Sequence, residues 1–150
     1  MTGPVFVDTN VLVYARDATE RDKQKRANAW LAYLWRSRAG RLSMQVLHEF
    51  YVTVTEKLKP GIDRKAARRD VRNLMAWHPV RLDRTVLEGA WAVQDRYNQS
   101  WWDALIISAA QVSGCRTLLT EDLQEGQRFD EVEVVNPFGR EPGLADSLSD

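Results

Sequence analysis

The run PVFVDTNVLVYA places one carboxylate, Asp8, between two apolar stretches, with Thr9 and Asn10 directly behind it. Asp103 is the only charged side chain between Asn98 and Cys115, at the head of the apolar run ALIISAAQV. Glu49 lies about one turn into a stretch that begins near Gln45, and Glu121 and Asp122 follow the short apolar run TLLT. A carboxylate withdrawn from water needs a compensating partner. The segment around Asp103 has no Lys or Arg to supply one. A divalent cation shared among several carboxylates would remove that cost, and oxygen-only ligands favour Mg2+ or Mn2+ over zinc. Each acid also has a plainer role. Asp8 suits a helix N-cap, and Ser100 and Asp103 have the S-x-x-D spacing of a variant capping box. Glu49, at the edge of its helix's apolar stripe, can be a surface acid. Glu121 and Asp122 can be loop acids.

Other chemistries have little support in the residues. His48 falls on the polar side of its helix and His78 precedes Pro79 in a turn, so neither belongs to a zinc-binding pattern. There is no GxGxxG after the first apolar run, no GxxxxGK[ST] and no GxSxG. The single cysteine, Cys115, cannot form an intrachain disulfide and reads as a buried filler. No apolar run approaches the roughly 20 residues of a membrane span. With no basic-then-apolar leader at the start, the expectation is a cytoplasmic protein.

The acids need a frame that brings them together. At 150 residues one domain is expected. Short β-rich runs at 5–7, 41–44, 79–82, 117–120 and 132–135 read as strands. Helical spacing of apolar residues recurs from Asp8 to about Arg16, over 22–38, from Gln45 to Leu58, from a cap at Asp63 to about Trp77, and over 85–97. The run 104–112 is apolar nearly all round, as in a buried helix. Alternating strands and helices predict a mostly parallel five-stranded sheet covered on both faces. Such sheets bind ligands beyond the carboxyl ends of their strands, which is where the acids fall. Trp30 and Trp35 have the spacing of core residues. Trp101 and Trp102 flank Asp103 and are expected in the core, with stacking on a base as the other role. Residues 1–137 read as the domain and 138–150 as a C-terminal tail.

Net charge is zero, but its distribution is uneven. Residues 1–116 carry 19 Lys/Arg against 12 Asp/Glu, and residues 117–150 carry 2 against 9. Within KLKPGIDRKAARRDVR, the bases Lys57, Lys59, Arg64, Lys65, Arg68, Arg69 and Arg72 face only Asp63 and Asp70. Such a segment suits a polyanion, although a solvated helix face accounts for it equally well.

Taken together, VFVDTNVLVYA, SMQVLHEFY, WWDALIISAA and LLTEDLQEGQ resemble the PIN-domain ribonucleases, and most of all the VapC toxins of type II toxin–antitoxin pairs. The resemblance runs from Val5 to about Pro137. It implies a PIN-like three-layer α/β/α fold and Mg2+- or Mn2+-dependent cleavage of RNA. By position, Asp8, Glu49, Asp103 and Asp122 match the family's four acids, with Glu121 competing for the fourth place. Thr9, Asn10 and Thr120 match supporting polar positions. The resemblance also implies a VapB-like antitoxin as partner and a homodimer. Helices 22–38 and 45–58 could then form an apolar groove for an antitoxin helix. The alternatives are a catalytically inactive PIN-fold module that binds RNA or protein, a DNA nuclease of the same fold, and, more remotely, an acid-cluster phosphotransfer protein.

Overall fold

Val5–Val7 forms strand β1, and all three residues are buried, as expected for a strand covered on both faces. The computed structural model describes residues 3–143. Around β1 lies a five-stranded sheet in the order β2-β1-β3-β5-β4, with β2 at Gly40–Arg41, β3 at Thr117–Leu119, β4 at Arg128–Phe129 and β5 at Val132–Val135. β2, β1, β3 and β5 run parallel, and β4 is antiparallel to β5. The mostly parallel sheet is therefore as expected, but two strands differ from the sequence reading. β2 covers Gly40–Arg41 rather than 41–44, because Ser43 already caps the helix that starts at Met44, and one expected strand is absent. The segment 79–82 adds only an isolated bridge, Val80 to Ser43. Pro79 offers no N–H, and only Val80 is bonded, donating to Leu42 and accepting from Met44. The fifth strand is instead β4. It closes a hairpin onto β5 through Asp130 and Glu131, with Asp130 in the left-handed region at φ 56°.

Among the described residues, six α-helices cover the sheet: α1 (Thr9–Tyr14), α2 (Arg21–Ser37), α3 (Met44–Val52), α4 (Arg64–Leu74), α5 (Arg84–Tyr97) and α6 (Trp101–Val112). They fall into two groups. α1 packs on α2 and α3, and α3 on α4, while α5 packs on α6 and α6 on β3 and β5. This is the three-layer α/β/α arrangement. The close approach of α5 and α6 depends on Gly89, whose added Cβ would collide with the Ser108 hydroxyl. That hydroxyl is buried and donates to the Val86 carbonyl at 2.8 Å.

The helix expected from Gln45 to Leu58 is α3 followed by a π-helical turn over Thr53–Lys57. Asp63 caps α4, accepting from the Ala66 N–H at 2.7 Å. Trp30 is buried, and its indole N–H donates to the carbonyls of Pro137 and Arg140, which ties the chain after β5 to α2. Trp35 is 42 % exposed and Trp102 63 % exposed, so neither is the core residue its spacing suggested. The apolar stripe of α2 is wider than the surface its neighbours cover. Trp101 is only partly buried, against the edge of the core. Among the described residues no helix is long and apolar enough to cross a membrane. Of the expected C-terminal tail, residues 144–150 lie outside the described residues.

Candidate active site

β1 sits at the point where the strand order reverses: the chain moves to β2 on one side of it and to β3 on the other. A crevice opens at such a point, beyond the carboxyl ends of the strands. Val7 pairs with Leu119, so the next residues, Asp8 and Thr120, meet at its floor. The Asp8 N–H donates to the Leu119 carbonyl at 3.1 Å, and the Thr120 hydroxyl donates to Asp8 Oδ2 at 2.9 Å. Asp8 is also the N-cap of α1, with Oδ1 accepting from the Thr9 N–H at 2.7 Å. Capping and site placement coexist because each uses a different carboxylate oxygen.

Asn10, the second residue of α1, links the two sides of the crevice. Its amide nitrogen donates to Thr120 Oγ1 at 2.9 Å and to Asp122 Oδ2 at 3.1 Å, and lies 3.4 Å from Asp8 Oδ2. Its Oδ1 accepts from the Glu121 N–H at 3.4 Å. The Asp122 N–H donates to Thr120 Oγ1 at 3.1 Å, which turns Asp122 toward the site. Glu121 points elsewhere, into an ion pair with Lys23 at 2.8 Å. The structure thus separates two acids that the sequence left in competition, and Asp122 is the one directed at Asp8.

Glu49 comes from α3, which the Ser43 hydroxyl caps by accepting from the Val46 N–H at 3.3 Å. The residue is exposed overall, yet its carboxylate is held at both oxygens. Thr9 Oγ1 donates to Oε2 at 3.0 Å, and Gln45 Nε2 donates to Oε1 at 2.8 Å. Gln45 is buried, and its Oε1 has no partner among the described residues. Sequence reasoning missed Gln45, although its position four residues before Glu49 put both on one helix face.

Asp103 lies in the first turn of α6, and its N–H is capped by the Ser100 hydroxyl at 3.2 Å. It is half-buried rather than buried, which corrects the expectation that it carries the desolvation cost. Its carboxylate accepts no hydrogen bond among the described residues, but its charge reaches Asp122.

Asp8 carries that cost instead. It is only 9 % exposed. Burial pushes its carboxyl up to about 7, against the lowering effect of the Thr9 N–H and Thr120 hydroxyl, and Asp122 and Glu49 push it further. The Asp122 carboxyl is also raised, first by burial and then by Glu121, Asp103 and Glu49, while Asn10 opposes. All four candidate acids therefore interact across one crevice. Among the described residues, no three His, Cys, Asp or Glu side chains are gathered tightly enough to form a ready-made metal chelate. The Asn10 amide stands between Asp8 and Asp122, and Glu49 is turned onto Thr9 and Gln45. The donor set nevertheless fits a hard divalent cation. It is all oxygen and formally carries four negative charges. It also contains a buried carboxylate whose ionisation a cation would favour.

The basic residues expected to suit a polyanion, Lys57, Lys59, Arg64, Lys65, Arg68, Arg69 and Arg72, are all exposed. Arg68 Nε donates to the Tyr51 hydroxyl at 3.1 Å. Asp70, one of the two acids in that stretch, is taken up by a two-pronged ion pair with Arg16 at 2.7 Å. Cys115 is buried, and its thiol is pushed up to about 11 by burial, as suits a filler rather than a nucleophile.

A family model for the PIN domain matches residues 5–134. No curated protein matches the chain. Among solved structures, a toxin–antitoxin complex from Klebsiella pneumoniae is similar, at 18 % identity and TM-score 0.62, over 89 % of this chain and 97 % of that one. VapC20 of Mycobacterium tuberculosis, described as a sarcin–ricin loop cleaving toxin, aligns at 19 % identity and TM-score 0.57, over 76 % of this chain and 86 % of its own. VapBC2 of Rickettsia felis, bound to a DNA fragment from its promoter, aligns at 16 % identity and TM-score 0.58, over 87 % and 96 %. At these identities the likeness is one of fold.

Proposed function

The chain belongs to the PIN domain family, and on that premise we propose that it is a metal-dependent endoribonuclease toxin, using Mg2+ or Mn2+ and restrained by a cognate VapB-like antitoxin. The observation that carries this reading is the buried Asp8 at the strand-order reversal, joined to Asp122 through Asn10, with Glu49 and Asp103 close enough to be felt electrostatically.

Asp8, Asp103 and Asp122 would hold the cation, and Glu49 would ligate it or orient the attacking water. When bound, the cation supplies positive charge at the scissile phosphate and makes water there more acidic. The chain's own residues prepare that chemistry. Thr120 and the Thr9 N–H keep Asp8 aimed into the crevice, and Asn10 holds Asp122 opposite it. Thr9 and Gln45 fix both oxygens of Glu49, so that its carboxylate can receive a proton from an incoming water without first reorganising. The exposed bases of α4, with Lys57 and Lys59, would carry the flanking RNA backbone.

The antitoxin reading has its own support. A groove of about 940 Å³ lies between α2 and α4, lined by Leu12, Leu31, Trp35, Phe50 and Leu74. It differs from the groove expected between helices 22–38 and 45–58: of 45–58 only Phe50 lines it, and from α2 Leu31 and Trp35 line it, not Trp30. Leu12, Phe50 and Leu74 are already buried and form its floor, while an amphipathic helix would cover Trp35 and the exposed part of Leu31. The homodimer implied by the resemblance is read directly from the chain's mass in solution.

The decisive experiment is cleavage of total RNA by the purified chain with Mg2+, with Mn2+ and with a chelator, alongside Asp8→Asn. The expected result is cleavage that needs the metal and falls on the order of a thousandfold in Asp8→Asn. Cleavage indifferent to both would refute the nuclease reading. RNA binding without cleavage would favour the inactive module, and preference for single-stranded DNA would favour the DNA nuclease.

A further inference from the structure

Glu121 and Asp122 are adjacent on the chain, yet only Asp122 serves the crevice. The residue that parts them is Lys23, on the first turns of α2. Its ammonium meets Glu121 Oε2 at 2.8 Å and the Tyr14 hydroxyl at 3.3 Å. It also lies 4.7 Å from the ring centroid of Tyr14 and 5.4 Å from that of Phe138. Those rings meet edge to face, with centroids 5.0 Å apart. An aromatic face attracts a cation, so two rings, a hydroxyl and a carboxylate hold one flexible side chain in place. The pair is partly exposed, with side-chain exposures of 37 % and 21 %, so its contribution to stability is small. Its consequence is orientation. The Glu121 side chain is drawn outward while its backbone N–H remains on Asn10 Oδ1. The Asn10 amide nitrogen is thereby left to Thr120, Asp122 and Asp8.

We infer that Lys23 is a positioning residue: with Tyr14 and Phe138 it withdraws Glu121 from the acidic crevice, so that Asp122 faces Asp8. Its functional consequence rests on the metal-dependent reading above. Without Lys23 the Glu121 carboxylate has no cation to hold it out. Held then by the Tyr14 hydroxyl without the charge of Lys23, it can compete with Asp122 for Asn10 and for the metal.

The test compares Lys23→Met, Lys23→Arg and Lys23→Met/Glu121→Gln with wild type. In metal-free protein, the Asn10 side-chain amide resonance should move in Lys23→Met and return in Lys23→Arg. Mn2+ affinity by titration calorimetry and kcat for RNA cleavage should each change about tenfold in Lys23→Met. Both should recover in Lys23→Arg and in the double variant, which lacks the freed carboxylate. An unmoved Asn10 resonance with unchanged Mn2+ affinity and kcat would overturn the inference. So would a raised KM that Glu121→Gln does not relieve, because Lys23 would then be touching RNA itself. A wild type that neither binds Mn2+ nor cuts RNA sinks the nuclease reading instead, and the Asn10 resonance still judges the role of Lys23.

Discussion

Two regions of this molecule concentrate charge, and they do so under opposite conditions. At the carboxyl ends of β1 and β3, acids converge from four segments around a buried carboxylate. Along α4, bases of one segment spread over an exposed face. In the crevice, burial lifts Asp8 to about 7, and every polar neighbour within reach is recruited to hold it. On α4 every base is exposed, Arg68 reaches the Tyr51 hydroxyl, and the acid Asp70 pairs with Arg16. Burial, more than the number of charges, decides which region needs a defined architecture. A buried carboxylate forces Thr9, Asn10 and Thr120 into fixed places, while an exposed guanidinium makes no such demand.

This contrast predicts unequal responses to substitution. The largest concerns Asp8 and pH. Its folded carboxyl titrates near 7, above the unfolded value of 3.8, so between those values the folded chain holds the extra proton. The metal-free protein should therefore lose stability as pH rises from about 4 to about 7, and level off above. Asp8→Asn should lack this slope. The stability gap between the two, from urea unfolding at several pH values, should widen in favour of the variant by up to about 4 kcal/mol. A gap that stays constant with pH would mean that Asp8 is not desolvated. The comparison would then fail at its first term.

Next comes the basic face. Arg68, Arg69 and Arg72 replaced together by Ala should weaken RNA binding on the order of tenfold or more. The slope of log affinity against log salt should flatten by about 2, with the thermal midpoint nearly unchanged. An unchanged salt slope would show that α4 does not touch the RNA. A large loss of stability would show that the face is less independent than its exposure suggests. The smallest effect is expected from Thr9→Val, which removes one hydroxyl from Glu49 and keeps the shape. Cleavage should fall about tenfold with little change in KM for RNA. A loss as large as that of Asp8→Asn would move Thr9 from support to the reacting centre.

Much of the frame was legible from local pattern. VFV, TLLT and VEVV read as buried strands because apolar β-rich runs stand between turn signals, and each lies at or within one residue of its expected place. PVRL, with Pro79 before and Arg81 between its two apolar residues, meets no partner beyond one bridge. β4, two residues with one exposed, has no apolar run to betray it. Trp35 shows the same limit from the other side. Helical spacing says which residues share a face, while the extent of the neighbouring helices decides how much of that face is covered. Cys115 and the Asp63 cap followed from local chemistry alone and stand as expected.

The acids, their order along the chain and the strand ends that carry them follow from local residue pattern, because strand termini and helix caps are local events. The same pattern puts oxygen ligands, not Cys or His, at hand. That Asp8, not Asp103, is the desolvated acid comes from packing, since burial depends on what lies above a residue. The fold alone also turned Asp122 inward and Glu121 outward, through Lys23 about a hundred residues away. It likewise paired Glu49 with Thr9 of another helix. Such choices rest on contacts between distant segments, whose geometry exists only once the sheet has brought them together.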